Sequence, residues 1–133
     1  MSLVSIQNTI ENRFNTLWGT TTPVAYPNVA FVKPASGEWV SLQIKFGSQN
    51  QASLNAGTTH FYRQKGIVTI QIFTSLNRGA KRAMTLADQT AAIWRGIQVN
   101  GITFYAPETV VIGNVEGVYQ VNVSTSFYVD ELL

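Results

Sequence analysis

Two runs of helical spacing and a set of alternating runs divide this chain. Apolar side chains fall at Leu3, Ile6, Ile10, Phe14 and Leu17, the three- and four-residue rhythm of one helix face. Ser2 or Ser5 offers a cap at the start and Gly19 a stop at the end. The opposite face is polar: Gln7, Asn8, Glu11, Asn12 and Asn15. A helix over 3–18 is about 24 Å long. Helices of that length are marginal alone, so this one needs a surface to lie on. The same rhythm recurs at Ala80, Ala83, Met84, Ala87, Ala91 and Trp94, with Gly96 just past the end. That predicts a second helix over 80–95.

The remaining runs alternate. Over 38–46, Val40, Leu42, Ile44 and Phe46 interleave with Ser41, Gln43 and Lys45, which predicts a strand with one buried and one wet face. Residues 61–74 read as a second long strand, antiparallel to the first, with Phe61, Tyr62, Ile67 and Phe73 as its large side chains. Asn100-Gly101 inside 97–104 predicts a hairpin with a type I′ turn, and Pro107 ends it. Residues 108–115 and 118–129 pair across Glu116-Gly117. On the last strand Tyr119, Val121, Val123, Thr125, Phe127 and Val129 face one way, and Gln120, Asn122, Ser124, Ser126 and Tyr128 the other.

The links between these runs are polar or proline-bearing. Residues 20–28, with Pro23 and Pro27, read as an extended connector. Residues 29–33 read as a short strand closed by Pro34, and Ser36-Gly37 as a turn. Residues 47–59 read as a polar loop, of a length that is usually functional or mobile. It is a segment for ordering against a partner, and Gln49, Asn50, Gln51, Leu54 and Asn55 are its candidate contact residues. No internal repeat or linker interrupts the chain. The expectation is one α+β domain over 1–133, in two layers. An antiparallel or mixed sheet carries both helices, packed through Ile6, Ile10, Phe14, Leu17, Met84, Ala87, Ala91 and Trp94.

Composition sharpens this. With 133 residues, one core is the default, and it needs no staples. Charged residues are only 12 %, against about 25 % in ordinary globular domains. Neutral Ser, Thr, Asn and Gln therefore cover much of the surface, which suits packing against other protein. The absence of cysteine excludes disulfides, thiolate catalysis and sulfur-based zinc sites. No run of 18 apolar residues occurs, so no membrane partner is expected. The N-terminal residues lack a basic region and a long apolar stretch, so no signal peptide is expected there.

Net charge is +2, but its distribution is lopsided. Arg63, Lys65, Arg78, Lys81, Arg82 and Arg95 are answered between 63 and 95 by Asp88 alone. Beyond Arg95 the only charges are acidic: Glu108, Glu116, Asp130 and Glu131.

Catalytic patterns are lacking. His60 is the single histidine and has no acids at ligand spacing beside it. The acids form no general acid/base pair. No Gly-x-Ser-x-Gly elbow, phosphate loop or dinucleotide fingerprint occurs. An enzyme is not expected, and neither is a cofactor or metal. A small nucleic-acid-binding α+β module is the alternative, with basic residues interleaved among Phe61, Tyr62 and Phe73 as a stacking platform. The signature of the common RNA-binding sheet is absent, and the charge is low for a strong phosphate footprint.

The order of features along the whole chain resembles the tail-terminator family of long-tailed bacteriophages. The first helix ends in Phe14-Asn-Thr-Leu-Trp18, followed by the proline-flanked Tyr26-Pro27-Asn28-Val29-Ala30-Phe31. Trp39-Val40 opens a strand, then comes Gly66 with Val68, Ile70, Ile72 and Phe73. Gly79 precedes a helix containing Ala87-Asp88 and Ile93, and an aromatic-bearing strand, Tyr119 to Tyr128, closes on Asp130-Glu131. The resemblance implies a structural virion protein, made in the host cytoplasm and located at the head-proximal end of the tail. It implies a homohexameric ring that stops tube growth and joins the head connector. Its partners would be itself, the tail tube protein and the head–tail connector protein, with DNA passing through the lumen unread. The family brings no catalytic residues. The charge split adds a candidate subunit or partner contact: Arg63, Lys65, Arg78, Lys81 and Arg82 against Glu108, Glu116, Asp130 and Glu131.

Overall fold

A computed structural model describes residues 2–51 and 61–132. Its elements run α1 (Leu3–Trp18), β1 (Val24–Ala25), β2 (Trp39–Gln51), β3 (Phe61–Ser75), α2 (Lys81–Trp94), β4 (Gln98–Val99), β5 (Ile102–Phe104), β6 (Glu108–Val115) and β7 (Val118–Leu132). The seven strands form one mixed, open sheet in the order β1-β2-β3-β7-β5-β4. β6 also pairs with β7, beside the segment that β5 leaves uncovered. Only β1 and β2 are parallel. The chain is an α+β fold with two helices on a mixed sheet.

The alternation on the long strands decides which face is covered. Val40, Leu42, Val68, Ile70, Ile72, Val121, Val123, Phe127 and Val129 are buried. They join Ile6, Ile10, Phe14 and Trp18 of α1 and Leu86, Ala87, Ala91 and Trp94 of α2 in one core. Aromatic rings run through it: Phe14 stacks on Trp18 at 5.1 Å, and Trp94 lies 5.1 Å from Phe104. The Arg13 guanidinium ties the helices together by donating to the Ile93 carbonyl at 2.9 and 3.1 Å. That carbonyl is near the end of α2, where the helix dipole favours a cation. Partial burial lowers the Arg13 pKa.

The I′ turn predicted at Asn100-Gly101 forms, and the turn between β6 and β7 has the same pair of positive φ angles. Asn100 and Gly101 have φ of 48° and 83°, and Glu116 and Gly117 have 46° and 85°. Gly66 is required for another reason. A Cβ there would stand 2.3 Å from Phe127 Cζ and 2.9 Å from the Lys45 carbonyl oxygen.

Three expectations need correction and one is extended. Leu17 is 53 % exposed, and Trp18 is buried in its place. Ile6, Ile10, Phe14 and Trp18 make a strict four-residue ladder, and the Trp18 Nε1–H donates to Thr22 Oγ1 at 3.1 Å. On α2, Met84 packs against the core as expected, partly buried, and Ala83, Leu86, Thr90 and Ile93 complete the buried face. Residues 29–33 are not a strand: Val29 and Val32 are exposed. A turn closes there from Val29 N–H to the Tyr26 carbonyl, and Asn28 takes φ 55°, which breaks an extended run between Pro27 and Pro34. Finally, 47–51 is not loop. β2 continues to Gln51, opposite Gln64, Arg63 and Tyr62, after a register shift between Phe46 and Gln49. β3 supplies the backbone partners, so the strand outruns the apolar pattern. Residues 52–59 of the expected loop, with Leu54 and Asn55, lie outside the described residues, as does His60.

Candidate functional site

The sheet has one face under the helices and one face that is bare among the described residues. Across the bare face, Gln43 Nε2 donates to Gln71 Oε1 at 3.3 Å, and the Thr69 and Ser124 hydroxyls meet at 3.2 Å. Aromatic groups sit at both ends of this polar ladder. Trp39 stacks on Phe73 at 4.1 Å and Phe31 lies 5.1 Å from Trp39. At the other end Tyr105 and Tyr128 are 5.7 Å apart, and Arg63 lies over Tyr128 at 4.2 Å. A groove of about 410 Å³ opens there, lined by Lys45, Lys65, Tyr105, Ser126 and Tyr128 among others.

The expected basic and acidic contact residues are distributed over three places. Arg63 and Asp130 pair within the chain, at 2.8 and 2.9 Å, in a two-pronged contact across β3 and β7. Hydrogen bonding to Asp130 raises the Arg63 pKa, and the same contact lowers that of Asp130. Arg82 is also engaged within the chain, donating to Glu38 at 2.7, 3.0 and 3.1 Å. That contact raises the Arg82 pKa. Glu131 is buried on the helix-covered side, opposite Tyr62. Lys65 stands on the bare face opposite Tyr128, and Glu108 opens β6 opposite Ser124. Gln49, Asn50 and Gln51 lie on the end of β2. The exposed residues Arg78, Lys81 and Glu116 make no ion pair among the described residues.

Arg78 and Arg82 meet at a cleft of about 610 Å³ before α2, lined also by Thr21, Thr22, Ser36, Glu38, Thr74 and Ser75. Sequence reasoning missed Glu38 and Thr74 here. Glu38 is 44 residues from its arginine partner, and no local pattern joins them.

It also missed the character of β6. Val110, Val111 and Ile112 are 44–52 % exposed, although all three are large and apolar. Among the described residues β6 pairs only with β7, so its other edge presents unpaired backbone groups. At the far side of the sheet, β1 covers β2 only at Val40 and Ser41. The rest of that edge of β2 has no pairing strand among the described residues. No cluster of acids or histidines that could hold a metal occurs among the described residues.

No curated protein matches the chain. A solved structure superposes on it with a TM-score of 0.73 at 19 % sequence identity, covering 97 % of this chain and 96 % of the other. That likeness establishes the fold. Residues 5–127 match the family model described as phage tail terminator protein. The chain belongs to the phage tail terminator family, whose members are structural proteins of the phage tail.

Proposed function

We propose that this protein forms a homohexameric ring at the head-proximal end of the tail, where it caps the tail tube and joins it to the head connector. The ring is supported by the open sheet, whose two lateral edges are both unpaired over several residues among those described. One edge is β6, with Val110, Val111 and Ile112 exposed; the other is β1 and, beyond it, β2 from Gln43 onward. Different edges on opposite sides suit a heterologous contact, in which one patch meets another on the next copy and rotation closes a ring. The low charge and neutral polar surface suit repeated protein contact. The ring's partners are then the tail tube protein on one side and the connector protein on the other, with DNA crossing the lumen without sequence reading. Assembly follows synthesis in the host cytoplasm, and the finished ring stays in the virion.

The test is tube growth. Tail tube protein polymerising in the presence of this protein should give tubes that stop, each with a ring at one end by electron microscopy. Tubes of unchanged length without rings would overturn the reading.

Nucleic-acid binding remains the second reading, favoured by Arg63 over Tyr128 beside Lys45 and Lys65. Against it, Arg63 is engaged with Asp130, and the bare face pairs many of its polar groups with one another. Anisotropy of a labelled single-stranded oligonucleotide separates the readings: tight, salt-sensitive binding lost in Lys45→Glu and Lys65→Glu would favour this one.

A further inference from the structure

The cleft before α2 breaks the usual rule for a helix start. Ala80 occupies the cap position and has no side chain to accept a hydrogen bond. No acid stands in the first turn. Instead Lys81 and Arg82 are there, with Arg78 just ahead. The first-turn N–H groups and the positive end of the helix dipole therefore face only cations within their own segment. A helix start of this composition favours an anion from elsewhere. Glu38 answers Arg82 alone, with three contacts of 2.7–3.1 Å, and leaves Arg78 unpaired among the described residues.

A second observation points the same way. Thr74 is 3 % exposed and lines the cleft, and its Oγ1 has no hydrogen-bond partner among the described residues. A buried hydroxyl without a partner is costly unless something reaches it. The cleft thus combines two guanidinium groups, uncapped backbone donors and a hydroxyl at its wall. These suit a carboxylate. A duplex backbone is broad and meets outward surfaces; a single acidic side chain at a narrow tip can enter a recess.

The fold carries one such tip. Glu116 sits in the two-residue turn between β6 and β7, exposed and without an ion-pair partner among the described residues. Strand register places this turn at the same end of the sheet as the cleft. Trp39 lies opposite Phe73, Ser75 opposite Val118, and Val115 opposite Val118. The cleft is at that end on the β1–β2 side, and Glu116 is at that end on the β6 side. β6 spans the level at which β1 pairs with Val40 and Ser41, so side-by-side packing of the β6 side of one copy against the β1 side of the next brings Glu116 to the cleft without a change of level. Asp130, the other exposed acid of the terminal strand, is at the opposite end and is held by Arg63.

We infer that the cleft formed by Arg78, Arg82, Thr74 and the start of α2 is a carboxylate receptor for Glu116 of a neighbouring copy. The inference rests on the ring reading and names one of its contacts.

The test is charge reversal, read by sedimentation velocity at low and high salt. Arg78→Glu and Glu116→Arg are both at exposed positions, and thermal melts should confirm intact folding. Each alone should weaken association at least about fivefold at low salt. The double variant should recover most of the loss. In parallel, Arg78→Cys and Glu116→Cys chains are mixed and treated with a short bismaleimide. The chain has no cysteine of its own, so a 78–116 cross-linked dimer has no background; a Ser126→Cys chain serves as the collision control. Failure of the double variant to recover, or no 78–116 cross-link above that control, overturns this contact while leaving the ring reading standing. A wild type that stays a single chain at every concentration overturns both. Salt-sensitive binding of a duplex oligonucleotide lost in Arg78→Glu, with association unchanged, would assign the cleft to phosphate and overturn the inference.

Discussion

On β3, Val68, Ile70 and Ile72 are sealed beneath the helices. Shifted by one residue, Lys65, Ile67, Thr69 and Gln71 stand on a face that no described element covers. The same strand therefore serves two purposes by alternation. On the covered face the partners are rings and aliphatic side chains from α1, α2, β5 and β7, and shape decides the cost of any change. On the bare face the partners are small polar groups bonded across the ladder, each interaction exposed enough to be replaced by water. Stability should be concentrated on the first face. The second face and the sheet edges are left for other chains.

The largest effect that could break this comparison is in the aromatic stack. Phe14→Ala removes the ring between Trp18 and Trp94 and should cost about 3–5 kcal/mol in a urea melt. A loss below about 1 kcal/mol would mean that α1 is not part of the core. Gly66→Ala comes next. The added methyl meets Phe127 and the Lys45 carbonyl, so overpacking should cost about 1–3 kcal/mol in the same melt. The change lies in a strand, where alanine is otherwise no worse than glycine, so a stabilised variant would contradict the close approach.

Thr69→Val, on the bare face, should stay within about 0.5 kcal/mol of wild type, despite losing its contact with Ser124. A cost as large as that of Gly66→Ala would erase the distinction between the faces. The smallest effect concerns Arg63 and Asp130. Asp130 titrates below its ordinary value of 3.8 because Arg63 hydrogen-bonds its charged form. Its contribution is therefore present above that value and lost as pH falls below it, through the folded-state pKa. Asp130→Asn should flatten the acid limb of the stability curve in that window and lower neutral-pH stability by the same small amount, while stability at the acid end stays as in wild type. An identical acid limb in the variant would show that the pair adds nothing.

Much of the covered face was legible in the sequence, because burial imposes a period. The ladder Ile6, Ile10, Phe14 fixed α1, and the alternation in 118–129 fixed both faces of β7. Where two apolar neighbours competed, the period could not choose: Leu17 and Trp18 both fit, and stacking on Phe14 with a bond to Thr22 selected the tryptophan. The end of β2 was not legible, since Gln49, Asn50 and Gln51 pair through backbone groups that every residue carries. Residues 29–33 misled in the other direction, apolar in type but held outside by their turn. The cleft was half legible. Its arginines stood out as a basic cluster, but Glu38 and Thr74 come from other elements and carry no local signal. The ion pair of Arg63 with Asp130 spans 67 residues and is a product of register alone.

The claim that the covered face holds the fold and the edges hold the neighbours is tested most directly by native mass spectrometry of wild type beside Val111→Lys. Val111 is 52 % exposed on the free strand β6, so the lysine should leave the melting curve within about 0.5 kcal/mol. The account predicts a wild-type mass about six times the 14.7 kDa of one chain, and a variant displaced to smaller species. A wild type at the mass of one chain, or a variant with the same oligomer distribution, would contradict it.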